Sequence, residues 1–172
     1  MEGEIDFKEI KSDEEPITRG TSFTGGSRTL KIFKSCSSDC TISVTLTWDS
    51  QPTVRSYDVI GSYFDGTTLK NTPSTTIVTS GISQAVNDLK TANNGIGSSF
   101  MIPFGSNIVI NQIYRVAKQG HVYASYQHAT VVSTLAKSKD YTFSKSGYGK
   151  VFNFSAGSRN IYDGMNGVDI AL

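Results

Sequence analysis

Between Thr41 and Trp48, in "TISVTLTW", every second side chain is apolar: Ile42, Val44, Leu46 and Trp48 alternate with Thr41, Ser43, Thr45 and Thr47. A period of two puts the apolar groups on one face of a strand and the hydroxyls on the other. The same kind of run recurs along the chain. "RTLKIFK" precedes it, and "SYDVIGSYF", "STTIVT", "SSFMIP" and "NIVINQIYRVA" follow. "HVYASYQHATVVSTL", "YTFS", "KVFNFS" and "GVDIAL" complete the series. Gly, Pro, Asn and Asp bound these runs, and Asp65-Gly66 reads as a hairpin dipeptide. The pattern predicts an all-β domain, an antiparallel β-sandwich of about nine or ten short strands.

Two segments stand apart. Ile82, Ala85, Val86 and Leu89 fall at helical spacing, and Asn93-Asn94-Gly95 offers a stop, which predicts one short helix near 82–92. Residues 1–27 show no periodicity and end in "RGTSFTGGS". They are read as a flexible tail, with the single β-sandwich domain spanning 28–172.

Charge changes the picture only locally. The net charge is +1, which gives no global field for nucleic acid or anionic lipid. Residues 1–15 carry seven acidic side chains against Lys8 and Lys11, or −5, leaving the remainder at +6. The expectation is a solvated acidic tail. No phosphate-cradling glycine loop and no basic run is present, so nucleotide and nucleic-acid partners rank low. No apolar run is long enough for a transmembrane helix. Ser and Thr make up roughly a quarter of the chain, a composition common among exported β-proteins. Secretion or display at the cell surface is therefore expected, with any signal peptide already removed.

Cys36 and Cys40 enclose only Ser37, Ser38 and Asp39, all good turn formers. If the flanking runs pair as a hairpin, the turn brings the two sulfurs together. The reading is a disulfide, with idle thiols as the alternative. A zinc site would need more ligands than distant His121 and His128 supply, and the spacing does not fit a thiol-redox motif. A disulfide fits an oxidising compartment.

No metal site and no cofactor is predicted. Asp163, Asn166 and Asp169 lie three apart in "YDGMNGVD" but lack the alternating acidic pattern of a calcium loop. "NFS" at 153–155 matches a glycosylation acceptor only as text. No Gly-x-Ser-x-Gly elbow marks a hydrolase nucleophile.

A candidate ligand face follows from the aromatics. Reading Gln119-Gly120 as a two-residue hairpin turn puts Val116 opposite Tyr123 and Arg115 opposite Ala124. Ile108, Ile110, Tyr114, Val116 and Tyr123 then point inward. Tyr126, Arg115, His128 and Asn111 point outward together, a stacking surface with directional donors.

The stretches "PTVRSYDVIG", "VYASYQHATVVSTLAKSKDYTFSKSGYGKVFNFS" and "YDGMNGV" resemble small secreted β-rich proteins of Gram-positive bacteria that have no assigned activity. The resemblance covers roughly residues 40–172. It implies export and a single β domain, and it carries over no catalytic residue. The function expected is an extracellular or cell-envelope interaction module, not an enzyme, with a carbohydrate, peptide or protein partner. Two alternatives stand beside it: a pore-forming or membrane-damaging β-protein, and a secreted hydrolase without a recognisable motif.

Overall fold

A computed structural model describes residues 22–25, 27–52, 57–128, 141–143, 152–154 and 166–172. The described residues form strands and no helix, so among them no helix is long and apolar enough to cross a membrane. The front sheet holds β1 (Ser22–Gly25), β2 (Arg28–Cys36), β3 (Asp39–Ser50), β5 (Ser74–Thr79), β6 (Ile82–Ala85) and β9 (Ser106–Ala117), in the order β1-β2-β3-β9-β5-β6. The back sheet holds β4 (Tyr57–Asp65), β7 (Leu89–Ala92), β8 (Gly95–Met101), β10 (His121–Gln127) and β13 (Asn166–Ala171), in the order β13-β10-β4-β8-β7. A separate pair joins β11 (Tyr141–Phe143) to β12 (Phe152–Phe154). Every pairing is antiparallel. The molecule is the all-β sandwich that the alternation predicts.

Alternation decides what lies between the sheets. From β2 and β3 come Leu30, Ile32, Ile42, Val44, Leu46 and Trp48; from β9 come Ile108, Ile110, Tyr114 and Val116. β4, β8 and β10 answer with Ile60, Phe64, Ile96, Phe100, Val122, Ala124 and Tyr126. Each fully buried large side chain contributes about 1.5–3 kcal/mol relative to exposure, so this layer dominates stability. Polar groups inside it find partners within the sheet and across the gap, except for Gln112 Oε1, which has none. Tyr114 donates to Ser62 at 2.7 Å, and the Gln112 amide donates to Thr75 and Ser98, each at 3.1 Å. At the sandwich rim the Lys34 ammonium reaches the Ala171 carbonyl at 2.9 Å, tying β2 to β13.

Three readings of the sequence need correction. Residues 82–92 contain β6 and β7, not a helix. Of the apparent helical stripe Val86 packs against the core, whereas Ile82 is 72% exposed, so the stripe shares no common buried side. Instead Ser80 and Gly81, at φ 52 and 78, form the tight turn that returns the chain along the open side of β5. Asp65-Gly66 is not a hairpin turn, because β4 lies in the back sheet and β5 in the front. Gln119-Gly120 is not one either. β9 already pairs with β3 on one side and β5 on the other, so the chain crosses to the back sheet and β10 pairs with β4 and β13.

The front sheet begins within the segment read as tail, with Ser22 opposite Lys31. Residues 1–21 lie outside the described residues, as do Ser155 of the "NFS" stretch and Asp163.

Candidate functional site

The outer side of the front sheet is built on its two longest strands, β3 and β9. Since Ile42, Val44 and Leu46 point inward, Thr41, Ser43 and Thr45 point out. Register then sets the neighbours. Lys31, Thr45 and Asn111 form one row across β2, β3 and β9; Phe33, Ser43 and Ile113 form the next; Ser35, Thr41 and Arg115 form the third. The Asn111 carbonyl oxygen accepts from Ser43 at 2.8 Å and Thr45 at 3.0 Å. That oxygen is satisfied within the sheet. Ile113 stands 42% exposed beside it. Arg115 is half exposed, its guanidinium 3.6 Å from Asp39. A shallow depression opens among Phe33, Ser35, Thr41 and Ser43. Asn111 and Arg115 thus face outward as the sequence predicts.

Tyr126 and His128 do not join them. Because β10 belongs to the back sheet with Val122 and Ala124 inside, Tyr126 points into the core and is fully buried. The four predicted site residues are therefore divided between the outside of one sheet and the space between the two. Tyr126 donates to Asp58 of β4 and accepts from the Trp48 indole N–H at 3.1 Å. His128, 8% exposed, sets Nδ1 3.0 Å from the Asp58 carboxylate, and its ring packs edge-on to Trp48. The Arg28 guanidinium lies over Trp48 at 5.3 Å and Tyr126 at 5.5 Å.

Burial pushes the Tyr126 phenol well above its ordinary pKa, and the neighbouring Asp58 charge pushes the same way. The phenol is therefore a neutral donor, with both its donor and acceptor capacity spent inside the protein. An aspartate holding a histidine is also half of a nucleophilic relay. Among the described residues, no hydroxyl or thiol is hydrogen-bonded to His128 to complete one. Asp58 and Trp48 were the members of this cluster that pattern reasoning missed. The available signal was a lone carboxylate at a core-phase position in "SYDVIG", two residues before Ile60.

No family model matches the chain, and no curated protein matches it. Among solved structures, it is similar to ACE19, the collagen-binding subdomain of the Enterococcus faecalis surface protein ACE. That match has 8% identity and a TM-score of 0.41, covering 77% of this chain and 88% of that one. It is also similar to AvmM, which catalyzes macrocyclization in alchivemycin A biosynthesis. There the identity is 8% and the TM-score 0.34, covering 99% of this chain and 89% of that one. Neither likeness bears on activity or partner.

Cys36 and Cys40 are bonded, their Cα atoms 4.0 Å apart as direct partners across the β2–β3 hairpin. The bond lies on the inner side, while the next residues, Ser35 and Thr41, belong to the outer lattice. It fixes the register that lines up the outer rows. Among the described residues, no group of three or more His, Cys, Asp or Glu side chains is placed to hold a metal ion.

Proposed function

We propose that this protein is a non-enzymatic interaction module of the extracellular space or cell envelope, engaging a protein partner through the outer side of its front sheet. One observation carries the reading: Phe33, Ile113 and Arg115 stand among Ser, Thr and Asn side chains set in register on the outer side of β2, β3 and β9. The depression beside Phe33 is open to solvent, whereas a small molecule takes an enclosing, concave site, so the face suits a protein surface better. Aromatic and arginine side chains such as Phe33 and Arg115 are the anchors that protein interfaces favour. The bonded cysteines support an oxidising compartment. The Asp58, Tyr126 and His128 contacts are spent on one another, which supports a structural role for that cluster.

The test is a panel of immobilised extracellular and cell-envelope proteins, probed with the wild-type chain and with Ile113→Asp and Arg115→Ala. Each substitution should weaken retention about tenfold or more while leaving the melting temperature nearly unchanged. Equal retention of all three proteins would remove this face from the interface. Hydrolysis of a chromogenic ester or glycoside by the wild type, lost in His128→Gln, would replace the reading with an enzymatic one.

A further inference from the structure

The tight turn at Ser80 and Gly81, both at positive φ, fixes how β6 lies against β5, with Ile82 opposite Thr79. Further along, the Val86 N–H donates to the Thr75 carbonyl at 2.9 Å. In an antiparallel pair such exchanges fall on alternate residues, so Ile82, Gln84 and Val86 turn their backbone groups toward β5. Ser83 and Ala85 turn theirs the other way, off the end of the front sheet, where no described strand receives them. All four residues of β6 are exposed.

The other sheet edges are guarded. β7 carries Lys90 and follows directly on Asp88. β13 lies against β1 and β2, where Lys34 reaches Ala171. β6 has neither protection: from Ser80 to Asn87 no side chain is charged and none is proline. Natural sheets seldom leave such an edge bare. Its side chains are equally uncovered. Ile82 and Gln84 share the inner side with Thr79 and Ile77, yet both are exposed, Ile82 by 72%.

We infer that β6 pairs antiparallel with β6 of a second copy of this chain, about a two-fold axis between the facing Gln84 residues. Ser83 and Ala85 then exchange N–H···O bonds with Ala85 and Ser83 of the second copy. Gln84 meets Gln84, and because an amide both donates and accepts, the two can bond one another. Ile82 falls opposite Val86 of the second copy, giving an apolar pair on each side of the axis. Centring the pairing on Ser83 would set Ile82 against Gln84, and centring it on Ala85 would set Ile82 against Asp88. A side chain on a two-fold axis meets its own kind, so an edge meant for its own copy must be free of charge there. An edge meant for another protein could carry a charge and be answered by the opposite one. The contact closes on itself and builds no fibre. On the outer side, the row Lys31, Thr45, Asn111, Thr76 and Ala85 runs up to the axis and continues into the second copy. The dimer does not depend on that face having a partner, so either reading can fail without the other.

Sedimentation velocity of the full chain, from about 1 µM to about 1 mM, should show a dimer that forms with concentration, weak because the shared edge is short. Ala85→Pro removes from both copies an outward N–H that no intrachain bond uses. It should weaken the dimer about tenfold or more and leave the melting temperature of dilute protein nearly unchanged. Gln84→Lys and Gln84→Glu each bring like charges together and should weaken it about fivefold, whereas an equimolar mixture of the two should associate at least as well as the wild type. Should Ala85→Pro fail to fold, the exposed Gln84 variants decide alone. A wild type monomeric up to about 1 mM would leave β6 to a strand of some other protein and overturn the proposal. A dimer that every variant keeps undiminished would lie elsewhere and overturn it too. A mixture of the two Gln84 variants that associates no better than either alone would show that the two residues do not face one another, and the pairing would be wrong.

Discussion

The Trp48 indole N–H spans the gap between the sheets to the Tyr126 hydroxyl, 3.1 Å away, and that hydroxyl donates onward to Asp58. One phenol thus joins β3 of the front sheet to β4 and β10 of the back. Removing the oxygen alone, in Tyr126→Phe, leaves a buried indole N–H without its acceptor and a buried carboxylate short of a donor. The cost should be about 1–3 kcal/mol. Tyr126→Ala adds a cavity and should cost about 3–5 kcal/mol. Denaturant unfolding followed by fluorescence of Trp48 checks both values, and a loss below 0.5 kcal/mol for Tyr126→Phe, roughly the floor for a hydrogen bond, would contradict the geometry.

Alkaline pH tests the same region from another side. Burial raises the phenol pKa of Tyr114 and Tyr126 above the ordinary 10.0, and Asp58 adds to the rise at Tyr126. A group whose pKa is raised by folding stabilises the fold fully below its unfolded value and loses that contribution as pH climbs toward the folded one. Stability should therefore fall as pH rises above about 10. Unfolding free energies measured at increasing alkalinity should decline less steeply in Tyr114→Phe/Tyr126→Phe. An identical slope would show that neither phenol is protected.

The hairpin disulfide closes a short loop, so its chain-entropy contribution is about 2 kcal/mol. Cys36→Ala/Cys40→Ala should lose that amount plus some packing, since both side chains are buried. Alkylation of unreduced protein, read by mass spectrometry, should label neither cysteine.

Two glycines with the same backbone sign should respond differently to alanine. Gly81 has φ +78 and open space where a Cβ would stand, so Gly81→Ala carries only the left-handed penalty, about 1–2 kcal/mol. Gly120 has φ +77, and its Cβ would run into the Asp65 carbonyl oxygen and meet the Gly66 carbonyl carbon at 2.7 Å. Backbone cannot yield there as a side chain would. Gly120→Ala should cost about 3 kcal/mol or more, the strain and overpacking together. Equal melting temperatures for the two variants would show that the crossover can relax.

Periodicity revealed β3 because its inner positions are large and apolar and its outer ones hydroxylic. The faces of β9 were legible for the same reason, so Asn111 and Arg115 fall outside and Tyr114 inside. β10 was not. Val122, Ala124 and Tyr126 alternate with Tyr123, Ser125 and Gln127, and neither set is plainly the apolar one. Choosing between them required the partner strands, which a local pattern does not contain. Reading Gly120 as a hairpin turn supplied the wrong partner, since a glycine at positive φ serves a sheet-to-sheet crossing equally well. At 82–92 the misreading was one of competition: helical spacing is visible locally, whereas the unpaired side of β5 that recruits β6 is not.

The repeated passage of the chain from one sheet to the other sets how fast it can fold. β3 pairs with β9, so that Ile42 meets Tyr114 only after the chain between them has passed through the back sheet as β4, returned to the front as β5 and β6, and passed back again as β7 and β8. Closing such long loops costs entropy before any core contact repays it, and all-β proteins of this connectivity fold in roughly milliseconds to seconds. The β2–β3 hairpin is the exception. Its disulfide persists in the denatured chain, which therefore begins each search with one correct strand pair already in register.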